Sequence, residues 1–479
     1  MRVHQLLALA LVLACAGTVV ASAGQAPADD VFALLRTIDD VAARQAWPGF
    51  QLTDWPLALF DGTRTLLLRH PAPPPEFTPL AGHPAVLVAT GRHPAVASNS
   101  TVDLAGVRTA TVIAIPGSSR ESTLLAYVEE VFHVFWLRRH AAFRPNEMAR
   151  YAYPTKDSRN LQRVLAEDEA LARALEAPDG AQAAAWAATM IALRREREPW
   201  LTPDDRAFET GLEMMEGTAN AVARTAVGLA SSETARRLRA ERAADQLRWR
   251  YYDSGAAICL ILDRLQPDWK TRIDNDTDLT TMALLEAAVS RAGARRAAFS
   301  TAETSAFERR AAAAIGELSA RQASVRTELL GRIGPRIVIE VGADREPLRV
   351  TRFDPINLLV LDAGEVVHPR YLTLTGPVGT VEITNAAFTR GTFTGVVALT
   401  GPAGRHPLAD GVRTLTIVGL RTTPKVDQRD GQLVVEAEGV RLTLRGAEAT
   451  TMGETLRVIW RPSMDHTSPI KAPSASAPR

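Results

Sequence analysis

Cysteine is nearly absent from this chain: Cys15 and Cys259 are the only two in 479 residues. Cys15 lies in a segment with the marks of an export signal. Arg2 gives a positive start, Leu6 to Leu13 form a short apolar core, and Ala21-Ser22-Ala23 suits a signal peptidase. Residues 1–23 are therefore expected to be a signal peptide, and the mature protein to be periplasmic or extracellular. Cleavage leaves Cys259 alone, which excludes an intramolecular disulfide even in an oxidising compartment. Cys259 sits in the apolar run Ala256–Leu262, the setting of a small buried thiol. Val12-Leu13-Ala14-Cys15 loosely resembles a lipobox, but leucine is poor at its second position, which disfavours lipid anchoring.

Charge of one sign is also lacking. Removing residues 1–23 removes Arg2 and no acid, leaving 54 basic against 54 acidic residues. A chain without net charge has no global attraction for nucleic acid or an anionic membrane. No stretch beyond the signal is long and apolar enough to span a bilayer. There is no long-period repeat, phosphate loop or dinucleotide fingerprint. Ser118-Ser119 lacks the flanking glycines of a nucleophile elbow.

What is present reads as an α+β multidomain protein. A chain of 479 residues exceeds one compact core, so two or three domains are expected. Residues 30–45 have helical spacing. Short apolar runs at Pro56–Phe60, Arg64–Arg69, Ala85–Ala89 and Ala110–Ile115, separated by turn residues, predict a small sheet within an N-terminal subdomain over 24–118. Residues 119–332 predict a helical domain, with helices near 121–143, 159–176, 181–197, 204–229, 232–248, 254–265, 279–294 and 302–331. Ser119 or Ser122 is placed to cap the first, and Asp253 or Ser254 the sixth. From 333 to 462 the apolar period becomes two, which predicts an all-β sandwich or open barrel. Residues 463–479 lack core-forming side chains and read as a disordered tail.

The chemistry is expected on the first long helix, in Glu129-Glu130-Val131-Phe132-His133. Glu129 and His133 are four apart, so both project from one helical face about 6 Å apart, as two ligands of one ion must. Leu124, Val128, Phe132 and Phe135 would pack the helix down. A third ligand should come from another helix, and Glu216 is the best candidate because Gly217 beside it permits close approach. Glu167 and Glu169 rank below it, and His140 is about 10 Å along the axis from His133, too far to share the ion. The competing reading leaves Glu129 and Glu130 on a solvated face and makes Glu209, Glu213 and Glu216 ordinary surface acids. Tyr252 could stabilise an oxyanion, or simply pack on the helices.

The Glu-Glu-x-x-His helix, the later Met215-Glu216-Gly217-x-Ala219, and the sheet-then-helix order resemble gluzincin-type metallopeptidases. The resemblance covers roughly residues 50–265. It implies that His133 and Glu216 bind zinc, that Glu129 stands where the family has its first histidine, and that Glu130 activates water. Glutamate for histidine adds a negative charge to the ligand set, lowers the Lewis acidity of the ion, and shifts preference toward Mn or Fe. The expectation is a metal-dependent hydrolase of a peptide or protein substrate. Its rival is an inactive pseudopeptidase serving as a binding or scaffold protein of the cell envelope.

Overall fold

A computed structural model describes residues 46–460, apart from 115–116, 147–148, 354–357, 363, 369–371, 378, 384–395 and 403–405. The expected signal at 1–23, the helix at 30–45 and the tail at 463–479 lie outside the described residues. The helices in chain order are α1 (Arg120–Arg139), α2 (Ala149–Ala152), α3 (Ser158–Glu176), α4 (Gly180–Arg197), α5 (Pro203–Leu212), α6 (Thr218–Val227), α7 (Ser231–Leu238), α8 (Leu247–Leu265), α9 (Trp269–Asn275), α10 (Thr281–Arg291), α11 (Thr301–Leu330) and α12 (Pro407–Asp410). None of them is long and apolar enough to cross a membrane.

The chain divides into two compact units, the first comprising Met1–Ala142, Met215–Glu233 and Gln266–Leu279. Compactness thus groups α1, α6 and α9 with the N-terminal sheet, across the 118/119 boundary suggested by composition. That sheet contains β1 (Leu57–Phe60), β2 (Arg64–Leu68), β3 (Thr78–Leu80), β4 (His83–Thr90), β5 (Ser100–Leu104) and β6 (Val107–Ile113). Its order is β3-β4-β2-β1-β6-β5, antiparallel except where β1 lies parallel to β6. Strand side chains alternate between faces. Ala58, Leu67, Ala89 and Leu104 accordingly share one core with Phe77 and Val96. Helix α1 packs along β6, and α6 packs on α1.

Aromatic residues are 6% of the chain, and many gather around α1. The Trp47 ring meets Phe132, Trp136 and Trp269 at centroid distances of 5.5, 5.5 and 5.2 Å. These are edge-on contacts, the arrangement that ring quadrupoles favour. Its Nε1 donates to Asp274 of α9.

The second unit comprises Phe143–Met214, Thr234–Leu265 and Thr280–Arg479. Its helices start on side-chain caps: Asp157 before α3, Asp179 before α4, and Thr202 and Ser300 as capping boxes before α5 and α11. The expected helix over 204–229 is interrupted by a π-turn at Glu213–Gly217, which joins α5 to α6. Helix α6 then ends on Gly228, whose φ of +79° is a left-handed cap.

Other boundaries differ from expectation. The helix expected over 232–248 stops at Leu238. Helix α8 starts at Leu247, so Asp253 and Ser254 are interior to it rather than caps. Their polar groups are taken by tertiary partners: Asp253 accepts from Arg237 and Arg242, and Ser254 donates to Glu213. The polar break expected between Asp268 and Thr280 contains α9.

The C-terminal strands are β7 (Arg336–Val341), β8 (Arg349–Phe353), β9 (Leu359–Asp362), β10 (Glu365–His368), β11 (Leu372–Gly376), β12 (Gly379–Ile383), β13 (Val396–Thr400), β14 (Thr414–Val418), β15 (Lys425–Arg429), β16 (Gln432–Ala437), β17 (Val440–Arg445), β18 (Ala447–Met452) and β19 (Thr455–Trp460). Among the described residues they form a sheet ordered β18-β19-β7-β14-β13-β10-β9 and another ordered β15-β16-β17-β12-β11-β8. Ile337, Ile339, Leu415 and Val458 of the first share one core with Leu374, Val381, Leu433 and Leu442 of the second. Two sheets closing on one apolar interior make a sandwich.

Candidate metal centre

Helix α1 is set by its sequence. Ser119 caps it by accepting from the Ser122 backbone N–H at 3.0 Å. Tyr127, Val128, Val131, Phe132, Val134, Phe135 and Trp136 are all buried, so the middle of the helix has almost no solvent face. Glu129, Glu130 and His133 interrupt that apolar surface, and buried charge requires partners. Helix α6 and the π-turn before it provide them. Glu216, Asn220 and Arg224 stand four residues apart in sequence, and all are buried.

Glu129, His133 and Glu216 each place one ligand atom within 4.8 Å of the other two. His133 Nε2 lies 3.1 Å from Glu216 Oε2. Two ligands about 2.0–2.1 Å from a tetrahedral ion are themselves about 3.3 Å apart, so this separation suits a shared cation. One imidazole nitrogen and two carboxylate oxygens form a donor set that could hold a divalent ion. The fit has one departure. His133 Nδ1 is buried and has no hydrogen-bond partner among the described residues. A metal-binding histidine usually donates from that nitrogen to a carbonyl or carboxylate.

The electrostatics reflect crowded negative charge. Burial raises the Glu129 carboxyl to about 7, helped by Glu216 and opposed by His133, a hydrogen bond from Asn220, and Arg224. Burial likewise raises Glu130 to about 7, with Glu129 and Glu216 adding to the rise and His133 opposing it. Burial pulls the His133 imidazole down, but contact with Glu216 and the fields of Glu130 and Glu129 outweigh it, giving about 9. The imidazolium is thus the cation that balances these acids in the metal-free protein. A divalent ion would have to compete with that proton.

Glu130 is half-buried, borders the cluster, and has no hydrogen bond to its carboxylate among the described residues. An unpaired carboxylate beside a cation site is suited to accept a proton. Tyr252 belongs to the second unit, where its hydroxyl accepts from Arg248 Nη1 at 2.7 Å and its ring meets Trp249 at 5.3 Å.

The competing carboxylates are committed elsewhere. Glu167 accepts from Arg194, Arg197 and Arg250, and Glu169 from Arg173 and Arg239. Glu209 and Glu213 are buried in the second unit and paired with Arg197 and Arg194, not solvated as a surface acid would be. His140 is buried against Trp136, with ring centroids 4.0 Å apart.

Asn220 and Arg224 also bear on the site, and neither is singled out by the sequence analysis. Arg224 Nε donates to Asn220 Oδ1 at 2.6 Å, and both groups hold the Glu129 carboxyl down against its burial. The signal was the Glu216, Asn220, Arg224 spacing of four and four, which aligns polar groups along one helix face. No protein-family model matches this chain, and neither does any curated protein or solved structure.

Proposed function

We propose that Glu129, His133 and Glu216 bind a divalent metal, Zn or Mn, and that the protein hydrolyses a peptide or related amide after export. The convergence of three ligand atoms within 4.8 Å, with the free carboxylate of Glu130 at its border, carries this reading. When bound, the ion would polarise the scissile carbonyl and make a water more acidic. Glu130 takes the proton from the attacking water as the new C–O bond forms. The same carboxyl returns it to the leaving amine as the C–N bond breaks. The apolar body of α1 holds Glu129, Glu130 and His133 on one rigid support, which keeps donors and base in fixed register.

Two observations favour a second reading, an inactive pseudopeptidase of the cell envelope. Carboxylate occupies the position where the resembling family has its first histidine, and His133 Nδ1 lacks its usual acceptor.

The test is metal content by mass spectrometry of protein purified without chelators, beside His133→Ala and Glu216→Ala. Stoichiometric metal in the wild type and loss in both variants is expected. Glu130→Gln should keep the metal and lose hydrolysis of a peptide library. Intact hydrolysis in Glu130→Gln would move the base elsewhere, and a wild type that takes up neither zinc nor manganese would favour the pseudopeptidase.

A further inference from the structure

Glu216 is carried on a single π-turn, Glu213–Gly217, between α5 and α6. Such turns are rare and concentrate at functional sites. The first two residues of this one are tied down. Glu213 is buried, and both of its carboxylate oxygens are engaged. Arg194 of α4 donates from Nη1 to Oε2 at 2.7 Å and from Nη2 to Oε1 at 2.8 Å. Ser254 of α8 donates from Oγ to Oε1 at 2.7 Å. A two-pronged guanidinium–carboxylate contact fixes direction as well as charge. Met214 is also buried, and its Sδ accepts from the Thr281 backbone N–H at 3.2 Å. Thr281 opens α10, so that N–H has no partner within its own helix.

Glu216, three residues after Glu213, has a different partner, His133 Nε2 at 3.1 Å. In a regular α-helix, residues three apart stand side by side on one face, about 5–6 Å between Cβ atoms. Two acids so placed would share one set of partners. The π-turn spreads them, so that Glu213 keeps Arg194 and Ser254 while Glu216 keeps His133. Met215 is half-buried, whereas the other four residues of the turn are buried.

We propose that Glu213 is a positioning residue for Glu216: its clamp by Arg194 and Ser254 holds the π-turn open, and the open turn delivers Glu216 to the divalent ion. With the clamp released and every residue kept, the turn closes to α geometry and Glu216 leaves His133. This inference rests on the metal-site reading above.

The experiment is titration calorimetry of Mn²⁺ and Zn²⁺ into the metal-free full chain, with circular dichroism to confirm folding. Glu213→Gln keeps the shape but replaces one acceptor oxygen by an NH2 group that Arg194 cannot bond. It should weaken binding about 10–100-fold, the usual cost of losing a group that orients a ligand. Ser254→Ala leaves the ion pair and should act in the same direction by less; it decides alone if Glu213→Gln does not fold. Deleting Met215 in the Glu213→Gln background removes the residue that the π-turn takes up, and should recover the lost affinity. A merely structural defect would not be repaired by a deletion. The proposal is overturned if Glu213→Gln and Ser254→Ala bind both ions like the wild type, or if deleting Met215 brings no recovery. A wild type that binds neither ion would overturn the metal-site reading, and the positioning is then read from urea midpoints of Glu213→Gln, Glu216→Gln and the double variant. Losses smaller than additive would support it, because the first change already parts Glu216 from His133; additive losses would overturn it.

Discussion

Glu167 offers the sharpest test of how the second unit is held together. Its side chain is fully buried. Arg197 Nη1 and Arg250 Nη2 each donate to it at 2.8 Å, and Arg194 Nη2 donates at 3.2 Å. Burial alone would raise its carboxyl, but the three guanidiniums hold it down at about 2 against an ordinary 4.5. That difference corresponds to roughly 3 kcal/mol of stabilisation by the ionised form. Because the folded pKa is depressed, this contribution is complete above pH 4.5 and is lost as pH falls toward 2. Glu167→Gln keeps the shape and removes the charge, leaving three buried cations short of one anion. Breaking such an array by one partner costs about 3–5 kcal/mol. Urea unfolding by circular dichroism at pH 7 should show that loss. The gap between wild type and variant should narrow as the pH is lowered through 4 toward 2, since the wild-type carboxyl then also becomes neutral. A loss below about 1 kcal/mol, or a gap that ignores pH, would refute the argument.

Three further outcomes follow from packing and caps. Gly211→Ala would bring a Cβ to 2.9 Å from Pro145 Cα, so a loss of about 1–3 kcal/mol is expected in the same urea assay. Trp47→Ala empties the centre of the aromatic cluster and should cost about 3–5 kcal/mol, read from the thermal midpoint; a cost under 2 would mean the cluster closes over the gap. Ser119→Ala removes the cap of α1 and should cost about 1 kcal/mol, with Ser119→Asp restoring it.

The architecture was legible wherever burial imposes a period. Ile337, Ile339 and Val341 alternate inward on β7, and Leu433 and Val435 do so on β16. The unrecognised strands are mostly edges: β3, β5, β8, β15 and β18 all end their sheets. An edge strand has half its backbone pairing and little apolar surface, so its sequence carries little signal. Lys425–Arg429 is exposed throughout, and only its pairing with β16 makes it a strand. At the candidate centre, Glu129 and His133 stood out because charge within an apolar run requires an explanation, and Glu216 because Gly217 beside it permits close approach. The buried arginine network escaped notice because Glu167, Arg197 and Arg250 lie on different helices and are joined only by tertiary structure.

The π-turn at Glu213–Gly217 separates two kinds of acid. Glu213, on its first residue, is neutralised by Arg194 as part of the scaffold, whereas Glu216, near its end, faces His133. One residue more than a regular turn changes the phase of everything after it, by about 100° in helical terms. Glu216, Asn220 and Arg224 inherit that phase as a block. Closing the turn to regular α geometry with every residue kept would preserve their spacing from one another and turn all three away from α1 together, whereas deleting Met215 as the turn closes would leave their phase unchanged. The geometry of this one turn therefore presents Glu216, Asn220 and Arg224 to α1 as a block, in addition to what each side chain contributes singly.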